Sequence, residues 1–87
     1  DLLVNNAGIF VRGAERQVSV DGHEMHMAVN YLAGFLLTHR LLPRLERSRA
    51  PRVVNVSSLS ASPIDFDDVM ITRGYSGNRG YGQSKLA

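Results

Sequence analysis

Hydrophobic and polar positions change their spacing several times along this chain, and each change marks an element. Leu2, Leu3 and Val4 are apolar without alternation. Such a run predicts a strand over about 2–5 that is covered on both faces, as in a parallel sheet. Asn6-Ala7-Gly8 turns the chain out of it, and positions 9–20 mix apolar, charged and glycine residues without a sustained period. That stretch predicts a loop with room for one helical turn. Met25, Ala28, Val29, Leu32, Phe35, Leu36 and Leu42 then recur at helical spacing, which predicts a long helix over about 22–45 with a core-facing stripe. Asp21 followed by Glu24 has the spacing of a capping box, with Asp in the place of the usual Ser or Thr. Arg40, Arg44 and Arg47 gather toward the far end, where cations complement the helix dipole. Pro43 predicts a kink or a loosened last turn.

Pro51 ends the connection, and the β-branched run from Arg52 to Ser58 predicts a second, mostly buried strand. From Leu59 to Gly80 the pattern is that of a loop. Pro63, Gly74, Gly77 and Gly80 act there as breakers, and Asp65, Asp67 and Asp68 form an acidic patch. A new helix is expected from about Gly80 or Tyr81. Strand, helix, strand, helix at this spacing is a βαβ unit of a parallel α/β sheet, with a right-handed crossover expected. A buried-type strand at the first residues and a helix just begun at the last predict that residues 1–87 are the central part of one larger domain, truncated at both ends.

Composition narrows the classes. With 44% hydrophobic and 21% charged residues and a formal charge of +2, the chain reads as globular rather than disordered. Its apolar runs fall far short of the roughly 20 residues a membrane-spanning helix needs. There is no Cys, hence no disulfide framework and no thiolate chemistry, which is compatible with a reducing cytoplasm. His23 and His26 lack the H-E-x-x-H spacing and no third ligand is evident, so no metal site is expected. These two and His39 are expected on exposed helix surface. The arginines between 40 and 52 lack interleaved aromatics or a recognised motif, and read as a solvated helix end rather than a nucleic-acid surface.

Four features could carry chemistry. Tyr81 and Lys85 are four apart on a helix, which places a phenol beside an ammonium that favours the phenolate. A surface pair on an amphipathic helix reads the same way. Ser57 and Ser58 leave the second strand at its carboxyl end, where ligands bind in open α/β sheets, although serines also merely end strands. Asn30 interrupts an apolar helix stretch, and its amide needs partners if buried, in a site or on neighbouring backbone. Asn5-Asn6-Ala7-Gly8 follows the first strand with small residues that allow close approach of a ligand or of another helix.

Together and in this order, these segments resemble the short-chain dehydrogenase/reductase family. The matching residues are Asn5-Asn6-Ala7-Gly8; Val29-Asn30 with Gly34, Leu37 and Thr38; Val54-Asn55-Val56-Ser57-Ser58; and Tyr81 with Lys85. The resemblance covers essentially the whole chain. It implies part of a Rossmann-type, doubly wound parallel sheet, from the fourth strand to the start of the fifth helix. It also implies an oxidoreductase that moves a hydride between NAD or NADP and an alcohol, aldehyde or ketone. Carried over by motif, Tyr81 is the general acid/base, and Lys85 assists it and bonds the nicotinamide ribose. Ser58 orients the substrate oxygen, and Asn30 holds a water linking Lys85 to solvent. Asn5, Ala7 and Gly8 are implied cofactor neighbours. The stretch between Ser58 and Tyr81 is longer than in compact members and looks like the branch containing retinol dehydrogenases and the WW-domain oxidoreductase. That branch leans toward NADP. A cytoplasmic homo-oligomer is the expected parent. The competing readings are a Rossmann protein that binds dinucleotides or partners without catalysis, and an inactive gene fragment.

Overall fold

The computed structural model describes residues 1–87. Two strands, β1 (Leu2–Asn5) and β2 (Arg52–Asn55), pair in parallel, with Leu2 opposite Arg52 and Asn5 opposite Asn55. Strand β1 has its expected bounds. The second strand is shorter than the expected 52–58, because β1 turns away after Asn5 and leaves later residues nothing to pair with. Val56 N–H makes the last bond across, to Asn5 O at 3.0 Å. Between the strands runs a helix in three parts: α1 (Met25–Met27), a wide π turn (Ala28–Leu32) and α2 (Ala33–Glu46). The last helix is α3 (Gly77–Leu86).

The long helix starts later than its periodicity suggests, and Asp21 is not its cap. Residues 17–24 fold into a tight reversal first: Ser19 N–H donates to His23 O at 2.8 Å, Gly22 N–H to Ser19 O at 2.9 Å and Met25 N–H to Gln17 O at 3.0 Å. Gly22 takes a φ of +86°, which breaks any helix running through it. The cap is Glu24, whose carboxylate accepts from Met27 N–H. Such a cap contributes about 1 kcal/mol to a helix. At the other end, α2 continues past Pro43 to Glu46.

The predicted apolar stripe is only partly covered. Phe35, Leu36 and Leu42 are exposed, and Leu45 is the buried residue of α2. The strands expected to be buried are also open, with Leu2, Val4, Val53 and Val54 exposed. Two strands make too narrow a sheet to cover a helix of this length. The well-packed centre sits elsewhere, where α1, α3 and the loops meet. Met27 and Ile71 are buried there beside Glu24, His26, Gln83 and Ser84.

The segment between β2 and α3 is irregular but anchored. Asp65 N–H donates to Gln83 Oε1 at 2.9 Å, and Gln83 Nε2 donates to Val69 O at 3.3 Å. Arg16 donates twice to Met70 O, at 3.1 and 2.9 Å. Ile71 is buried at a φ of +50°, a costly conformation for a β-branched residue that burial holds in place. The acidic patch is used locally. Asp68 accepts from Thr72 N–H, Thr72 O–H and Arg73 N–H, and these donors hold its carboxyl below the usual range.

Gly77 and Gly80 do not break the chain as expected; they are the first turn of α3. Ser76 caps the helix, its Oγ accepting from Arg79 N–H at 3.1 Å. Glycine is needed here for closeness. A Cβ on Gly77 would overlap Val11 O, and one on Gly82 would overlap Ser62 Oγ.

Candidate active site

Helix α3 brings together most of the residues singled out by pattern. Tyr81 and Lys85 share one face, with Lys85 Nζ 5.9 Å from the centre of the Tyr81 ring. Phe10 packs on that ring at a centroid distance of 4.8 Å, and His26 meets it edge-on at 6.4 Å. The Tyr81 hydroxyl has no hydrogen bond to the protein. Lys85 Nζ has one long bond, to Val56 O at 3.4 Å, so most of its donor capacity is open.

Asn30 stands in the π turn, where the widened backbone presents its side chain to the loop after β1. Oδ1 accepts from Ile9 N–H at 2.7 Å, while Nδ2 donates to Ile9 O at 3.0 Å and to Ser84 Oγ at 2.9 Å. Ser84 O–H in turn donates to Tyr81 O at 2.8 Å. The amide is therefore fully partnered, and it ties the loop after β1 to the backbone of Tyr81.

Gly8 lies beside both groups. A Cβ on it would stand 3.2 Å from Lys85 Nζ and 3.3 Å from Asn30 Oδ1. The missing side chain thus lets the exposed Gly8 backbone lie close to the ammonium and the amide. Asn5 faces the other way. Its Nδ2 donates to Thr38 Oγ1 at 2.9 Å and to Asn55 Oδ1 at 2.8 Å, and its side chain packs 3.3 Å from where Gly34 would carry a Cβ. It fastens β1 to β2 and α2. Ala7 is exposed on the loop between Asn5 and Gly8.

The two serines diverge. Ser57 O–H donates to Lys85 O at 2.6 Å and so helps place the end of α3. Ser58 Oγ accepts from Ser60 N–H at 3.1 Å, and its own hydrogen has no protein acceptor. Ser58 and Tyr81 are not hydrogen-bonded to each other. A groove of about 490 Å³ runs between α2, the end of β2 and α3, with Asn30, Ser84 and Lys85 in its wall. Neither Tyr81 nor Ser58 lines it, so the groove is not where their chemistry would occur.

His26 corrects one expectation. It is 1% exposed rather than on the helix surface, and it forms a buried cluster with Glu24 and Tyr75. Its Nε2 accepts from Val11 N–H at 3.0 Å, so the ring hydrogen is on Nδ1 and donates to Glu24 Oε1 at 2.7 Å. Tyr75 O–H donates to the same oxygen at 2.9 Å, and Met27 N–H donates to Oε2 at 2.8 Å. Burial works to raise the Glu24 carboxyl, but these donors outweigh it and hold the group below its usual range. Burial, with the Glu24 carboxylate as partner, pushes the Tyr75 phenol up to about 12. Sequence reasoning missed this cluster. The available signal was spacing, since His26 precedes Asn30 by four and shares its helix face. No group of three or more His, Cys, Asp or Glu is placed to hold a metal ion. No helix is long and apolar enough to cross a membrane.

Comparison with known proteins agrees with this arrangement. Residues 1–86 match the model of the short chain dehydrogenase family. The chain is 44% identical to a dehydrogenase/reductase SDR family member, FEY, of Arabidopsis thaliana, with 99% of this chain and 24% of that protein covered. It is 46% identical to human retinol dehydrogenase 13, with 100% of this chain and 27% of that protein covered. The crystal structure of an uncharacterised protein from Mycobacterium Paratuberculosis superposes with a TM-score of 0.79 at 37% identity, over 99% of this chain and 31% of that one. The chain thus spans about a quarter of the length of the curated relatives it matches. With its parallel α/β unit and these relatives along its whole length, the chain belongs to the short-chain dehydrogenase family of oxidoreductases.

Proposed function

We propose that the protein containing this chain transfers a hydride between a nicotinamide dinucleotide and an alcohol or carbonyl substrate, with Tyr81 as general acid/base. One observation carries the reading. An unpartnered phenol, an ammonium with open donor capacity and the close backbone of Gly8 meet along one face of α3, at the carboxyl end of a parallel sheet.

The residues present fit a nicotinamide cofactor, because Gly8 leaves free the space that a Cβ would fill below Lys85 Nζ and Asn30 Oδ1. When bound, the cofactor supplies the hydride acceptor or donor. Lys85 would hold its ribose, with the backbone around Asn5, Ala7 and Gly8 as its neighbours. Both N–H groups of the Asn5 side chain are committed to Thr38 and Asn55, so Asn5 contributes through its position in the main chain. NADP is the form to test first. The Tyr81 hydroxyl gives or takes the proton on the substrate oxygen, and Lys85 stabilises the charge the phenol oxygen carries meanwhile. Ser58, whose hydroxyl hydrogen has no protein acceptor, donates to that same oxygen and orients it. Asn30, its side chain committed to Ile9 and Ser84, holds the loop carrying Gly8 in register with α3.

The relatives named retinol dehydrogenases make retinol a sensible first alcohol to assay. In the full-length protein, Tyr81→Phe is expected to lower turnover by about 10²–10⁴-fold while NADP(H) binding persists. Unchanged turnover would exclude Tyr81 as the acid/base. A wild-type protein that binds dinucleotide yet turns over no alcohol or carbonyl would favour a binding protein.

A further inference from the structure

We infer that Glu24, His26 and Tyr75 form a positioning cluster for Tyr81, coupling the loop before α3 to the orientation of the proposed catalytic phenol. The inference rests on the reading of Tyr81 given above and extends it to three residues that touch no substrate.

Two separate segments contribute to the cluster. Glu24 caps α1, His26 lies within α1 and Tyr75 ends the long loop. Their polar atoms converge on one backbone position. A Cβ on Gly80 would stand 2.8 Å from His26 Nδ1, 3.0 Å from Glu24 Oε1 and 3.1 Å from Tyr75 Oη. Gly80 directly precedes Tyr81, so the cluster bears on the main chain at the point where the phenol departs from it.

The same three residues also set what surrounds the ring. His26 Nε2 holds Val11 N–H at 3.0 Å, which fixes the neighbour of Phe10, and Phe10 covers Tyr81 at 4.8 Å. The His26 ring itself stands edge-on to Tyr81, 82° from its plane. One imidazole therefore determines the backbone behind Tyr81, its edge contact and, through Val11, the ring stacked against it. Glu24 keeps that imidazole in one tautomer, and Tyr75 O–H completes the acceptor set of Glu24.

Apolar residues of similar volume could have filled this space without desolvating a carboxylate. Directional hydrogen bonds do what apolar packing cannot: they select one rotamer and one tautomer. A displacement of about 1 Å at a reacting group can cost on the order of 10²-fold in rate. That makes such selection useful next to an acid/base.

The test is Tyr75→Phe in the full-length protein with NADP(H) present, which removes a single oxygen. Two readouts are needed: the separation of kcat from the cofactor KM, and the ¹³Cζ resonance of Tyr81 in tyrosine-labelled protein, assigned with Tyr81→Phe. The expected result is a fall in kcat of about tenfold, a cofactor KM within about twofold of wild type because the Lys85 and Gly8 side is untouched, and a shifted or broadened Tyr81 resonance. Wild-type kcat together with an unmoved resonance, whatever the melting temperature, would overturn the inference and leave the cluster a structural bond alone. Should Tyr75→Phe not fold, Glu24→Gln keeps one oxygen to accept from His26 and Tyr75 while removing the charge and the acceptor for Met27 N–H, and takes its place with the same readouts. If Tyr81→Phe itself turns over normally, the catalytic reading fails. The Tyr81 resonance then decides by itself whether the cluster positions that ring.

Discussion

The two ends of this βαβ unit are held together by different forces. Around the start of α3, packing is close and polar. Glu24, His26, Gln83 and Ser84 are buried with their hydrogen bonds satisfied, and glycines allow backbone to meet backbone. Along β1, β2 and the outer face of α2, apolar side chains such as Val4, Phe35, Leu36 and Val54 remain exposed. Order at the candidate site therefore depends on individual atoms in directional bonds. The sheet half has the composition of a core but little of its burial. Losing one donor or adding one methyl should matter greatly in the first region and little in the second.

Gly77→Ala should break the polar region most severely. Its Cβ would overlap Val11 O, a backbone atom that cannot swing aside, and Gly77 N–H donates to Gly13 O at 2.8 Å. A loss of about 3 kcal/mol is expected, at the upper end of ordinary overpacking, measured from urea unfolding. A loss under about 0.5 kcal/mol would mean that the loop yields and that the contrast is overstated.

pH should sharpen the comparison with a smaller effect. Glu24 has its folded pKa lowered, so its contribution is present above the usual carboxylate range and is lost as pH falls through the lower folded value. Tyr75 is raised from 10.0 to about 12, so its contribution is full below pH 10 and is lost as pH rises toward 12. Stability should thus decline on both flanks. Glu24→Gln should flatten the acid limb and Tyr75→Phe the alkaline one, as read from melting temperature against pH. Limbs that keep their wild-type slopes in both variants would show that other groups set the pH dependence.

The smallest effect is expected in the open region. Leu36→Lys, at a side chain 50% exposed, should change the stability of the 87-residue chain by no more than about 0.5 kcal/mol. The same substitution in the full-length protein provides the contrast: a markedly larger loss there would show that this face is covered in the whole molecule.

Much of the fold was legible in the residues alone. The unbroken apolar run at Leu2–Val4 and the β-branched Val53-Val54 mark the strands, and their spacing around a long helical period requires parallel pairing. The Tyr81–Lys85 spacing likewise places both on one helix face, as the structure has them. Boundaries were less legible. Helical period does not register the reversal at residues 17–24, and a glycine that ends a helix looks the same in sequence as one that lets α3 press against Val11.

Chain order and local periodicity, which act over a few residues, thus determined the α/β class, the parallel unit and the family motifs. The tertiary structure alone decided that Glu24 caps the helix in place of Asp21. It alone turned His26 inward to join Tyr75. Those outcomes depend on which surfaces meet across long separations, such as the 51 positions that separate Glu24 from Tyr75. A pattern that repeats every three or four positions carries no information at that range.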